Sequence, residues 1–144
     1  MGRETGRQQY TEASYLRKIV DTHGRRIEFV YGTKNATERE DPHTRDSAPE
    51  AYQERIEKRY LSRFEVYADT GPKLFTVSFG YGFIGSGTTQ KRVLTSVTQQ
   101  SRAGENLPNY QFQYESASQA HYGLLEPVTT PAGATVAYTY TTRT

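Results

Sequence analysis

The sequence predicts an all-β protein, an antiparallel meander of β-hairpins. Three observations support this prediction: a repeated residue frame, alternating apolar positions, and turn residues between them. The frame reads Leu, two residues, a β-branched or aromatic residue, a short gap, Gly, two residues, an aliphatic residue, and two aromatics spaced by one. It occurs four times in 144 residues. Such recurrence is typical of a repeat protein, and it predicts tandem hairpins over 14–31, 60–81, 92–114 and 124–140.

The first copy shows why each copy predicts a hairpin. Residues 14–20 form the first predicted strand and residues 25–31 return with apolar side chains at every second position, as in a half-buried strand. Asp21 supplies a side-chain acceptor at the start of the turn, and Gly24 supplies the positive φ that a tight reversal needs. The fourth copy has the same kind of turn over 130–133.

We assign a structural role to the frame positions because they recur at fixed intervals. The aromatics close each copy, and cross-strand packing between them is the structural role we expect. The assigned positions are Leu16, Ile19, Gly24, Phe29, Tyr31, Leu61, Gly71, Phe79, Tyr81, Leu94, Gly104, Phe112, Tyr114, Leu125, Gly133, Tyr138 and Tyr140.

The segments outside the copies are polar. Residues 1–13 are predicted to be a flexible start and 32–51 a mobile polar loop, broken by prolines and carrying a solvated charge run from Glu38. Two shorter loops are expected over 82–90 and 115–121. Residues 52–60 fit a strand extension or a helical turn equally well. The start and the stop just after the fourth copy suggest a piece of a longer chain.

Composition excludes several classes of protein. Hydrophobic residues make up only 34%, but 12 Tyr and 6 Phe argue against disorder, so half-exposed sheets with a thin core are expected. The net charge of +2 comes from interspersed signs, which predicts neither nucleic-acid nor anionic-membrane binding. The absence of Cys removes disulfides and thiolate chemistry.

The sequence offers no targeting or membrane segment by the usual criteria. The charged N-terminal residues are not followed by the apolar run of a signal peptide. No stretch approaches the roughly 18 apolar residues of a membrane span. We therefore expect no membrane span, and we expect the protein to be soluble or to be exported as part of a longer chain.

The frame resembles the Rhs/YD-repeat family, the tandem β-hairpins of bacterial polymorphic toxins, of the B and C components of insecticidal toxin complexes, and of teneurins. The resemblance rests on three segments, residues 16–31, 92–97 and 123–140. It implies a section of a spiralling shell that encloses a toxin or effector domain within a larger secreted or cell-surface protein. Open sheet edges recruit other strands, so we also expect the isolated segment to self-associate or to need flanking repeats of the same or a partner chain.

The chain departs from the family at two motifs. The Tyr-Asp step is absent, since the last aromatic of each copy is followed by Gly, Gly, Glu or Thr. The Asp-Pro motif that leads to Gly-Leu at the self-cleaving end of the family's core is also absent, because Asp41-Pro42 precedes His43. The resemblance therefore implies no catalytic residue, and we expect a scaffold and not an enzyme.

Three other interpretations compete with the scaffold. Stacked aromatics can bind sugar rings, so a carbohydrate- or cell-surface-binding module that uses exposed tyrosines is the alternative. Residues 80–85 match a GxGxxG nucleotide-binding motif, but no predicted helix follows, which favours a loop without a cofactor. His23, His43 and His121 lie in turns and loops without a nucleophile or a closed ligand set, so neither a catalytic nor a metal site is expected there, and an enzyme site in the loop after residue 31 is the least favoured interpretation.

Overall fold

The eight strands of the described residues form one antiparallel sheet in chain order, so the predicted all-β meander is confirmed. The computed structural model describes residues 14–38, 57–69, 71–85, 90–116 and 121–141. A 3₁₀-helix, Ala36–Glu38, follows the second strand. The strands are β1 (Lys18–Val20), β2 (Arg26–Thr33), β3 (Arg59–Tyr67), β4 (Lys73–Ile84), β5 (Lys91–Gln100), β6 (Tyr110–Tyr114), β7 (Leu125–Thr129) and β8 (Thr135–Ala137).

The turns of the four copies are closed in the same way. In the first copy Asp21 N donates to Arg25 O at 3.0 Å, and Gly24 N donates to Asp21 O at 3.1 Å. Gly24 has a φ of 82°, a left-handed conformation that suits a residue without Cβ. Backbone donation from the first to the fifth residue recurs in the other turns, as Ala68 N to Pro72 O, Ser101 N to Glu105 O and Thr130 N to Ala134 O.

Several strand boundaries differ from the sequence prediction; β8, for example, ends at Ala137, although the fourth predicted hairpin extends to residue 140. The first strand is shorter than 14–20, because regular pairing begins only at Lys18. The segment 82–84, predicted as part of a loop, continues β4 and pairs with β5. Glycine is tolerated here because the neighbouring strand comes close, and a Cβ on Gly82 would lie 3.0 Å from the Thr95 methyl group. The GxGxxG motif is therefore mostly strand and not the predicted loop.

The sheet is a single layer with no closed core. Among the described residues no hydrophobic side chain is buried. Three phenylalanines follow one another across β2, β3 and β4 instead, with ring centroids 6.2 Å apart between Phe29 and Phe64 and 6.0 Å between Phe64 and Phe79. Cross-strand aromatic pairs of this kind contribute about 0.2–1 kcal/mol each relative to alanine pairs. Apolar packing between neighbouring strands thus replaces packing between layers.

The residues that alternate with this apolar row form a charged network. Glu28 and Glu65 lie opposite each other on β2 and β3. Their repulsion is offset by cations: Arg26 bonds Glu28 at 2.8 Å, and Arg63 bonds Glu65 at 3.1 Å. The hydroxyl of Tyr67 donates to Glu65 at 2.7 Å, which lowers the pKa of this carboxyl group. One face of the central strands is therefore polar and the other apolar.

No helix in the described part of the chain is long and apolar enough to cross a membrane. Several sequence predictions fall on other residues. The flexible start at 1–13, the loop residues 39–51, most of the 52–60 segment and His43 lie outside the described ranges.

Candidate functional site

The closing tyrosine of each frame bonds the backbone of its own copy. The hydroxyl of Tyr31 donates to the carbonyl oxygen of Leu16 at 2.9 Å. The residue that accepts is the leucine that opens the copy, and the same bond is present in the other three. These bonds join Tyr81 to Leu61 at 2.6 Å, Tyr114 to Leu94 at 2.8 Å and Tyr140 to Leu125 at 2.7 Å.

On the other side, a closing tyrosine faces the opening leucine of the next copy. Tyr31 pairs with Leu61 across the β2–β3 junction, and the register shifts between Val30 and Tyr31. A shift of this kind is a β-bulge, which bends the strand and increases its twist. Each such tyrosine thus joins its own strand to the chain segments on both sides of it. The same pairing with a register shift occurs at the other two junctions, as Tyr81 with Leu94 and Tyr114 with Leu125.

Two of these phenols are partly removed from water. Burial raises the pKa of Tyr81, and it raises the pKa of Tyr114 as well. Both hydroxyls are therefore held in the protonated form that donates to a carbonyl oxygen.

Four tyrosines, two of them frame residues, surround a pocket at one end of β2, β3 and β4. The rings of Tyr15 and Tyr31 lie 5.2 Å apart in a tilted arrangement, and those of Tyr60 and Tyr81 lie 5.1 Å apart in an edge-to-face arrangement. Both arrangements are favourable for aromatic pairs. The space has a volume of about 380 Å³, and we call it the tyrosine pocket. Its other lining residues are Ser14, Lys34, Glu57, Arg59, Leu61 and Arg92.

A buried ion pair borders the tyrosine pocket. Arg92 donates to Glu38 through two nitrogens, at 2.7 and 2.9 Å, and the backbone N–H of Asn35 donates to the same carboxylate at 2.8 Å. Glu38 is only 4% exposed. The Arg92 guanidinium lies 3.9 Å from the centre of the Tyr60 ring, a distance at which a cation is attracted to the aromatic face. The pair thus ties the 3₁₀-helix to β5 and supports one wall of the pocket.

The ionisation of Glu38 follows from these contacts. Burial opposes the charged form, but hydrogen bonds from Arg92 and from the backbone of Asn35 outweigh it, so the pKa of Glu38 lies below its ordinary value. The expectation of a solvated charge run is therefore wrong at Glu38. Its partner lies 54 residues away in sequence, beyond the reach of a local charge pattern.

The aspartate of the first turn is held by hydrogen bonds within that turn. Asp21 accepts from the backbone N–H groups of His23 and Arg25, both at 2.9 Å, and from the Arg25 side chain at 2.6 Å. The Arg25 side chain is the main reason why the pKa of Asp21 is lowered.

The described histidines form no metal site. His121 lies near Tyr140, with ring centroids 6.1 Å apart. In the described ranges no three His, Cys, Asp or Glu side chains form a group that could hold a metal ion.

Sequence reasoning singled out only part of the tyrosine pocket. It named Tyr31 and Tyr81 as frame positions, but it did not predict the contribution of Tyr15, Tyr60 or Arg92. Tyr60, the aromatic residue at the end of the ambiguous 52–60 segment, was the signal in the sequence that could have indicated the pocket. Its ring lies directly over Gly32, the residue that pairs with it on β2, where any Cβ would collide with it.

Comparison with known proteins adds no relative from which a function could be carried over. No family model, no curated protein and no solved structure matches the chain. The proposed function therefore rests on the sheet, the frame tyrosines and the tyrosine pocket.

Proposed function

We propose that this chain is a non-catalytic structural section of a shell like those of Rhs/YD-repeat proteins. The shell would enclose a toxin or effector domain within a larger secreted protein. The recurring bond from a closing tyrosine hydroxyl to the opening leucine carbonyl is the observation that carries the proposal. A repeated unit in which each copy contacts only its neighbours is the architecture expected of such a wall.

The outer strands support flanking repeats as partners. The junctions between copies are built by a tyrosine of one copy and a leucine of the next. Within the described ranges, β1 and β8 each pair with one strand only. Open edges of this kind recruit further strands, and a preceding or following copy of the frame supplies residues of the right type. An enclosed domain would in turn cover apolar side chains that the single layer leaves half exposed.

The size of the natural polypeptide tests this proposal. An antibody raised against these 144 residues would be used on immunoblots of secreted and cell-associated fractions of the source organism. We expect a band many times larger than 16.4 kDa, enriched in the secreted or surface fraction. A band near 16.4 kDa would contradict the proposal.

The tyrosine pocket favours a second candidate function, carbohydrate binding. It is an open depression in which four aromatic rings lie beside four charged side chains. The hydroxyls of Tyr31 and Tyr81 are used within the sheet, whereas those of Tyr15 and Tyr60 form no hydrogen bond with any described residue. A glycan array with the wild type and a Tyr15→Leu variant tests this function. Loss of sugar binding with an intact sheet would support it.

A further inference from the structure

The two arginines of the tyrosine pocket are in different electrostatic situations. Arg92 is neutralised by the buried Glu38 and is covered by the Tyr60 and Phe83 rings, at 3.9 and 4.7 Å. Arg59 is exposed, and no carboxylate of the described residues pairs with it. Its guanidinium carbon lies 6.0 Å from the centre of the Tyr15 ring. The donors of Arg59 are therefore available at the rim of the pocket.

The pocket thus offers an aromatic surface beside a guanidinium group that pairs with no anion of the described chain. The face of a tyrosine ring is negative, so it attracts the C–H groups of a sugar ring. A guanidinium group binds a carboxylate through two parallel hydrogen bonds, which fixes its orientation. A neutral sugar uses only the first feature, and a small inorganic anion uses only the second. A sugar that carries a carboxylate uses both.

We propose that the tyrosine pocket binds an acidic saccharide, a sugar ring that bears a carboxylate, with the ring against Tyr15 and the carboxylate on Arg59. This inference rests on the second candidate function and specifies its ligand. The Glu38–Arg92 pair is a positioning element, because it holds the wall that carries Tyr60.

The test compares three probes by isothermal titration calorimetry: trigalacturonic acid, the neutral galactotriose, and sodium sulfate. We expect the acidic trisaccharide to bind about two- to fivefold more tightly than the neutral one, the range given by one solvent-exposed ion pair. Its affinity should fall as salt is raised, since the contact is exposed to water. The Arg59→Gln variant should lose this preference. Arg102→Gln, which removes an exposed arginine from the turn between β5 and β6, should bind as the wild type does.

Each outcome separates this inference from the functions above. Equal binding of both trisaccharides, unaffected by Arg59→Gln, would overturn the acidic ligand but leave carbohydrate binding in place. No saccharide binding would overturn both. Sulfate binding as tight as that of trigalacturonic acid would indicate an anion site and overturn the sugar. If circular dichroism shows that Arg59→Gln does not fold, the wild type alone tests the proposal. Weaker binding of trigalacturonic acid at high salt and a preference for it over galactotriose would support the acidic ligand, and the absence of both would overturn it. If the protein is retained on immobilised polygalacturonate but does not bind free trigalacturonic acid, the proposal that the tyrosine pocket holds the saccharide would be overturned. The ligand would then be the surface of a polymer.

Discussion

Tyr81 donates a hydrogen bond from its hydroxyl to the carbonyl oxygen of Leu61 at 2.6 Å and lies opposite Leu94 on the following strand. Its side chain thus stabilises the hairpin of its own copy, and its backbone position marks the bulge at the junction with the next. Because both contacts recur along the sheet, one residue type at one frame position accounts for much of the chain's regularity.

Removal of the Tyr81 hydroxyl should weaken the sheet. In Tyr81→Phe the ring remains but its bond to Leu61 is lost, and we expect the free energy of unfolding to fall by about 1 kcal/mol, the net value of an ordinary hydrogen bond. Tyr138→Phe is the matched control, because Tyr138 is 46% exposed and its hydroxyl bonds no described residue. Urea denaturation measures both. Equal midpoints for the two variants would show that the bond contributes nothing.

The glycine of the turn between β5 and β6 should not tolerate alanine. Gly104 has a φ of 89°, and a Cβ placed on it would meet open space, so Gly104→Ala tests backbone conformation alone. We expect a loss of about 1–2 kcal/mol, the cost of a left-handed residue that carries a Cβ. Ala103→Ser is the matched control, because Ala103 is exposed in the same turn without a positive φ, and its stability should stay within about 0.5 kcal/mol of the wild type. Thermal unfolding followed by circular dichroism compares them, and a similar loss in both variants would contradict this account.

The Glu38–Arg92 pair should make the free energy of unfolding fall as the solution is made acidic. The folded pKa of Glu38 lies below its ordinary value of 4.5, so its contribution is complete above that pH and is lost as the pH falls through the folded value. Glu38→Gln should reduce stability at neutral pH by about 1–3 kcal/mol, because a neutral amide offers Arg92 one uncharged acceptor in place of the two carboxylate oxygens. The variant should also show less acid sensitivity below pH 4.5 than the wild type.

Denaturation curves at several pH values measure this effect, with Glu105→Gln as the control. Glu105 is exposed in the turn after β5, and its backbone N–H and carbonyl groups close that turn. Replacing its side chain should therefore leave the acid dependence as it is in the wild type. An acid dependence unchanged by Glu38→Gln would contradict the assignment.

Glu126 should have the opposite pH dependence. Desolvation and a hydrogen bond with Glu115 raise its pKa above the ordinary 4.5. A raised folded pKa means that the contribution to stability is complete below 4.5 and is lost as the pH rises through the folded value. Glu126→Gln should remove this loss, because the amide has no charge to repel Glu115. Titration of the carboxyl carbon by NMR gives the direct check, and a titration midpoint at or below 4.5 would refute the prediction.

The all-β meander and the turn chemistry could be predicted from local patterns in the sequence. Alternation of apolar and polar residues over a few positions predicts a strand. Asp21 and Gly24 form hydrogen bonds with backbone groups no more than four positions away. Such features depend only on neighbours in the chain, so they can be recognised without the fold. Gly82 was misleading, since it leaves room for the Thr95 side chain of β5, a strand that a local pattern does not reveal.

Contacts between distant groups depend on the three-dimensional arrangement of the strands. Glu38, in the 3₁₀-helix after β2, and Arg92, on β5, are brought together by the sheet, and no local pattern marks either residue as part of a buried pair. The position of Tyr60 over Gly32 depends on a register that includes a bulge, and so does the tyrosine pocket. A shift of the strand register by one residue would turn the side chains of that strand, such as Tyr60, to the other face of the sheet. The candidate site therefore follows from strand register, whereas the fold class follows from periodicity.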